Sequence, residues 1–178
     1  MDSPTHGEMR VQDVIRGEKT AISVTDWGRG KTPKAKFPLS KAGRRAHSYG
    51  QAWEWRFVEF TFSDRQFVIR LLFNDDKSKA HIHLGSRNGR DTIVLCCYEY
   101  HPDHVTGWHL HTLCGVVNDI DSAPTGTLVH GPWVKRLPNA RHYHRRSEFR
   151  RDGIGGLKAW LWHETMRFFR LNERGSLV

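Results

Sequence analysis

The stretch from Lys79 to Val116 carries the residues best suited to chemistry. It reads Lys-Ala-His-Ile-His-Leu-Gly, Ser-Arg-Asn-Gly-Arg, Asp-Thr-Ile-Val-Leu-Cys-Cys-Tyr-Glu-Tyr, His-Pro-Asp-His-Val-Thr-Gly and Trp-His-Leu-His-Thr-Leu-Cys-Gly-Val. Six of the chain's 12 histidines fall here: His81, His83, His101, His104, His109 and His111. Two His-apolar-His triplets sit on separate expected strands, with a cysteine-bearing strand between them. Successive side chains on a strand point to opposite faces, so His81 and His83 share one face, and His109 and His111 share one.

Such a face has three uses. Imidazole and thiolate are the usual nitrogen and sulfur ligands of a transition metal. Histidine also titrates near neutral pH and can pass protons to and from a phosphodiester without metal. The third use is none: a solvated sheet face. The candidate catalytic residues are His81, His83, His109 and His111, with Arg70 placed to approach from a neighbouring strand and steady an anion. The candidate metal ligands are His81, His109, His111 and Cys96, for a divalent ion such as zinc or manganese.

The ligand set depends on register. Asn88-Gly89 is a strong hairpin signal, because both central residues of that turn take positive φ. If it closes directly, His83 faces Val94 and His81 faces Cys96. A longer turn that sets Tyr100 opposite Gly107 then places Cys96 opposite His111. A one-residue slip turns a strand over, and Cys97 and Glu99 then replace Cys96 and Tyr98 on the histidine face.

The elements around this stretch point to an α+β fold. An antiparallel β-meander of five or more strands packs against a C-terminal amphipathic helix, with basic loops between. Short strands at close spacing, Glu54 to Phe62 and Gln66 to Phe73 among them, favour the meander. Val11, Val14 and Ile15 suggest a short helix, and Thr20 to Val24 a strand. Leu157, Leu161, Phe168 and Leu171, with Trp160 beside them, recur at helical spacing; His163 and Glu164 are read as surface residues. The 178 residues fit one domain. Residues 1–50 form an N-terminal extension with a basic loop at 28–50, residues 51–117 the meander, 118–152 a loop-rich basic segment and 153–172 the helix.

Net charge is +9 with histidine neutral, which favours an anionic partner: nucleic acid first, an acidic protein second. The charge is concentrated. Arg29, Lys31, Lys34, Lys36, Lys41, Arg44 and Arg45 occur within 28–50 with no acid among them. Lys135, Arg136, Arg141, Arg145, Arg146, Arg150 and Arg151 follow later, interleaved with His142, Tyr143, His144 and Phe149, and only Glu148 opposes them. Basic runs with aromatic punctuation can grip phosphates and stack bases. The candidate nucleic-acid contacts are Lys34, Lys36, Arg44, Arg45, Arg141, Tyr143, Arg145, Arg146, Arg150 and Arg151. Three cysteines, Cys96, Cys97 and Cys114, make a poor disulfide framework. No run approaches the roughly 20 apolar residues that cross a bilayer, and no apolar N-terminal stretch has signal-peptide character. The expected setting is a reducing cytoplasm, without membrane.

Trp108 to Leu113 resembles the metal-binding motif of the HUH nucleases, the replication initiators and relaxases, in which a His-hydrophobe-His triplet lies on a strand. The resemblance implies metal-assisted cleavage of nucleic acid. Those enzymes also use a tyrosine on a later helix; Tyr143, the only later tyrosine, has no Tyr-x-x-Lys context. The paired triplets are also similar to 2H phosphoesterases, with His81 and His109 in the first positions and His83 and His111 where serine or threonine belongs. Paired Cys-x-x-Cys knuckles, a phosphate-binding loop, a dinucleotide fingerprint, a deaminase signature and a nucleophile elbow are all missing from the sequence. Two functions fit. One is a histidine-cluster nuclease or phosphodiesterase acting on nucleic acid. The other is a non-enzymatic nucleic-acid-binding or inhibitor module of a mobile element or phage.

Overall fold

The computed structural model describes residues 9–43, 46–100, 108–113, 125–128, 134–138 and 156–171. In chain order these form α1 (Val11–Arg16), β1 (Thr20–Val24), β2 (Gly28–Arg29), a 3-10 turn (Lys34–Lys36), β3 (Trp53–Phe62), β4 (Arg65–Asn74), β5 (Lys79–Asn88), β6 (Asp91–Tyr100), β7 (Trp108–Leu113), β8 (Val134–Pro138) and α2 (Gly156–Phe168). The strands make one antiparallel sheet in the order β1-β3-β4-β5-β6-β7-β8, with β2 also paired to β3. From β3 to β8 the path is a meander, and the class is α+β, as expected.

Within the segment expected to be loop-rich, Val134–Pro138 forms a strand. It pairs with β7 from the end of the sheet path, so Pro138, which has no N–H to donate, can close it without costing the sheet an interior hydrogen bond. The tight turns follow local chemistry. Ser63 and Asp64 both take positive φ between β3 and β4, and Gly89 does so between β5 and β6.

Each face of the sheet has its own core. On one face, Val58, Phe60, Ile69, Leu71, Ile82, Leu84, Cys96 and Tyr98 pack with Leu161, Phe169 and Leu171 from α2 and the residues that follow it. Phe168 stacks on Tyr98 with ring centroids 4.2 Å apart. Glu164, expected at the surface, is buried; it accepts a hydrogen bond from Tyr98 Oη at 3.1 Å and pairs with Arg167. A carboxylate can stand there because both partners reach it.

On the other face, Phe37, Leu39 and Ala46 from the basic 28–50 stretch pack against Phe57, Val68, Val94 and Cys97. That stretch therefore lies across the sheet as a strap, with its apolar residues inward and Lys31, Lys34 and Lys41 exposed. It is tied down by polar contacts as well. Arg87 donates to the Lys36 carbonyl at 2.7 Å and to Glu59 at 2.9 Å, and Lys36 pairs with Glu59. The Ser40 backbone N–H donates to Asp91 at 3.2 Å. With α2 on one side and the strap on the other, β4 is buried continuously from Phe67 to Asn74. That explains its near-unbroken apolar run, in which Arg70 stands out.

Candidate functional site

The histidine pairs meet β6 in a register that differs from the direct hairpin. The β5–β6 turn is made by Gly89 and Arg90, so Asn88 faces Asp91. A bulge beside Leu84 and Gly85 then adds one more residue on β6. Together these shifts set His83 opposite Cys97 and His81 opposite Glu99. Across the next pair, Cys97 faces His111 and Glu99 faces His109, one residue from the register expected. Cys96 is thereby turned to the α2 face, where it is fully buried in the core; it is not a ligand partner of the histidines. Cys97 and Glu99 take the histidine face instead.

Glu99 is the centre of this face. Its Oε1 lies 3.0 Å from His81 Nδ1 and accepts the Cys97 thiol hydrogen bond, also at 3.0 Å. Its Oε2 is 3.6 Å from His111 Nε2. One imidazole nitrogen of His81, the Cys97 sulfur and a Glu99 oxygen all fall within 4.8 Å of one another. His83 stacks beside His81 with centroids 6.3 Å apart and planes 17° from parallel. On the far side, the Trp53 ring lies 5.6 Å from the His81 ring.

Burial and charge compete at these groups. Burial alone would raise the Glu99 carboxyl. The hydrogen bond and charge of His81, the Cys97 thiol and the charge of His83 outweigh it and hold the group well below the usual carboxylate range. The Cys97 thiol is pushed well above its ordinary value, by burial first and then by the Glu99 charge and hydrogen bond, with Arg70 opposing. Exposure differs across the site. The His81 and His111 side chains are 22% and 19% exposed, Glu99 is 10% exposed and Arg70 is fully enclosed.

Arg70 pairs with His83 across β4 and β5, so it does share the histidine face. Its guanidinium lies 4.5 Å from the Phe37 ring centroid and donates from Nη1 to the Ala46 carbonyl at 3.1 Å. His81, His83, His111 and Arg70 are thus brought together. His109 faces Glu99 in the ladder, but its side chain lies outside the described part of the structure. Of the expected nucleic-acid contacts, Lys34 is exposed on the strap and Lys36 is half-buried in its pair with Glu59. Arg44, Arg45, Arg141, Tyr143, Arg145, Arg146, Arg150 and Arg151 lie outside the described residues.

Two residues at this face carried no sequence signal. His47 and Tyr49, both on the strap, come from a stretch without periodicity, and only the fold brings them to Arg70. Glu99 had a signal: it lies two residues after Cys97 on one strand and so shares its face.

The donor set of imidazole, thiolate and carboxylate is one that binds zinc. The same groups without metal form a carboxylate flanked by two imidazoles, suited to moving protons. No protein-family model, curated protein or solved structure matches this chain.

Proposed function

We propose that this chain is a phosphodiesterase acting on nucleic acid, with a transition-metal centre at His81, Cys97 and Glu99 and with His111 at its open rim. The observation that carries the reading is the convergence of nitrogen, sulfur and oxygen donors within 4.8 Å on a sheet face where the His81 and His111 side chains keep partial exposure. A sulfur donor favours zinc over manganese, which prefers all-oxygen surroundings. A divalent ion there supplies charge to a phosphoryl oxygen and acidifies a water. His111 and His83 remain to position the substrate and carry its protons. The net charge of +9 provides the attraction for a polyanion.

A metal-free version is favoured by a separate observation, the pairing of Glu99 with both His81 and His111. There the carboxylate orients one imidazole as base and stabilises the other as acid.

Elemental analysis of the purified chain, followed by cleavage assays on single- and double-stranded DNA and RNA, separates the versions. The metal version expects near-stoichiometric zinc and an activity lost with a chelator and restored by the ion. Activity that survives the chelator selects the acid–base version. A His81→Ala/His111→Ala double variant that cleaves as well as the parent ends both. Retained, strongly salt-dependent binding in that variant would assign the chain to non-enzymatic nucleic-acid binding.

A further inference from the structure

Arg70 poses a separate problem. It is a guanidinium with no solvent exposure, set in the middle of a sheet. Among the described residues no carboxylate pairs with it, and its Nε and Nη2 have no hydrogen-bond partner. Burying an uncompensated charge is among the most expensive things a fold can do. The surroundings deepen the imbalance. His47 is buried next to it, also with an unpartnered Nδ1. Burial, the charge of Arg70 and the charge of Lys34 oppose protonation of that imidazole and outweigh its hydrogen bond to the Leu39 backbone. Arg70 and His47 thus meet at the closed end of the histidine face, with Lys34 exposed on the same strap and close enough for its charge to act on His47.

Resting on the phosphodiesterase reading, we propose that Arg70 and His47, with Lys34 at the mouth, form a receptor for a terminal phosphate of the nucleic acid. The two idle guanidinium nitrogens can bind two oxygens of one phosphate, as arginine does wherever planar bidentate recognition is used. The enclosure selects the kind of phosphate. Exposure falls from the His81 and His111 rim to Glu99 and then to Arg70. A phosphodiester within a strand needs an exit for the chain on both sides of the phosphorus. A phosphate monoester at a strand end needs only one, which suits a guanidinium as enclosed as that of Arg70. The strap that carries Phe37 and His47 must give way to admit the group; the phosphate charge then offsets those of Arg70 and Lys34, so that His47 takes up a proton and donates from Nδ1 to a third oxygen. Substrate is then engaged by its end at Arg70, while its first diester lies toward the His81–Glu99–His111 rim.

The test pairs oligonucleotides that differ only in having a phosphate or a hydroxyl at the 5′ or the 3′ end, and adds inorganic phosphate as a minimal probe. At constant salt, the phosphorylated form should bind about tenfold or more tightly at one of the two ends, the scale of a charge-assisted bidentate contact. Inorganic phosphate should raise the melting temperature of the protein. Arg70→Met should erase the end preference. Because that variant alters a buried site, Lys34→Glu and His47→Asn, both on the strap, serve as variants less demanding of the fold, and each should weaken the preference. Equal binding of phosphate and hydroxyl termini at both ends by the parent protein overturns the receptor. A circular single strand separates this idea from the reading beneath it. Equal cleavage of circular and linear substrates keeps the phosphodiesterase and removes the end receptor. End-phosphate preference without any cleavage keeps the receptor and removes the phosphodiesterase.

Discussion

His81 Nδ1 and Glu99 Oε1 stand 3.0 Å apart across β5 and β6, directly opposite each other in the ladder. The pair fixes the tautomer of His81, since an ionised carboxylate holds the proton on Nδ1 and leaves the lone pair on Nε2. Glu99 accepts from the Cys97 thiol through the same oxygen, so a single side chain orients both neighbouring donors. Glu99→Gln keeps the shape and removes the charge. Its expected effect is a loss of zinc affinity of at least about tenfold, the scale for losing an orienting carboxylate alone, because Glu99 is here also a donor to the ion. Competition with a chromophoric chelator measures it, and an unchanged affinity excludes Glu99 from the centre.

The adjacent cysteines should separate cleanly. Cys97 faces the histidines, and Cys96 faces α2. Cobalt(II) loaded into the protein should show a thiolate charge-transfer band that Cys97→Ser abolishes and Cys96→Ser leaves intact. The stability effects should run the other way. Cys96 is wholly enclosed by apolar residues, and burial pushes its thiol up to about 12. A serine hydroxyl there should cost about 1–3 kcal/mol by urea unfolding. A band that persists in Cys97→Ser would remove sulfur from the ligand set.

The contrast between these two cysteines shows where the sequence was readable. The period-2 alternation placed His81 with His83 and Cys97 with Glu99 on shared faces without any structure, because that period belongs to the strand itself. Which pair faces which depended on a turn that closes at Gly89–Arg90 and on one bulge near Gly85, neither of which has a unique signature. The strap was legible only as charge. Phe37 and Leu39 are spaced two apart in a stretch full of Lys, Pro and Gly, and nothing local says they are buried. His47 reaches Arg70 through that strap, so its place in the site was invisible before the fold was known. Glu164 illustrates the same limit from the other face. A lone carboxylate on a helix reads as exposed, and its burial is made tolerable by Arg167 on the same helix together with Tyr98, 66 residues away.

Lys19 provides a pH-dependent handle away from the site. Its ammonium is buried at the end of α1, where it donates to the carbonyls of Ile15 at 3.0 Å and Gly17 at 2.8 Å. Burial, with the nearby Arg170 charge, pulls its pKa down to about 8 from the ordinary 10.5. Between those two values the folded chain has shed the proton and the unfolded chain still holds it. The unfolded state thus binds more protons, and stability rises with pH across the window. Relative to Lys19→Met, the parent should gain stability from about pH 8 to 10.5 and show no such gain below it. Parallel urea midpoints for the two proteins across that range would show that Lys19 is not penalised by its surroundings.

Phe37 is the anchor of the strap, and its seat depends on Gly85. The ring is fully buried, 4.5 Å from the Arg70 guanidinium and 6.2 Å from the centre of the His83 ring. A methyl group on Gly85 would come within 3.0 Å of Phe37 Cζ and would also strike the Thr92 side chain, since β5 is crowded at its bulge. Gly85→Ala is therefore expected to destabilise the protein by about 1–3 kcal/mol through overpacking. Phe37→Ala should cost about 3–5 kcal/mol, because it empties the centre of the strap-side core. Both changes act on the strap face and leave the α2 core in place. Limited proteolysis should then cut first at the exposed Lys31, Lys34 and Lys41, well before the sheet unfolds. Cleavage in β3 or β4 at the same rate would mean that the strap and the sheet open as a single unit, and that access to Arg70 requires global unfolding.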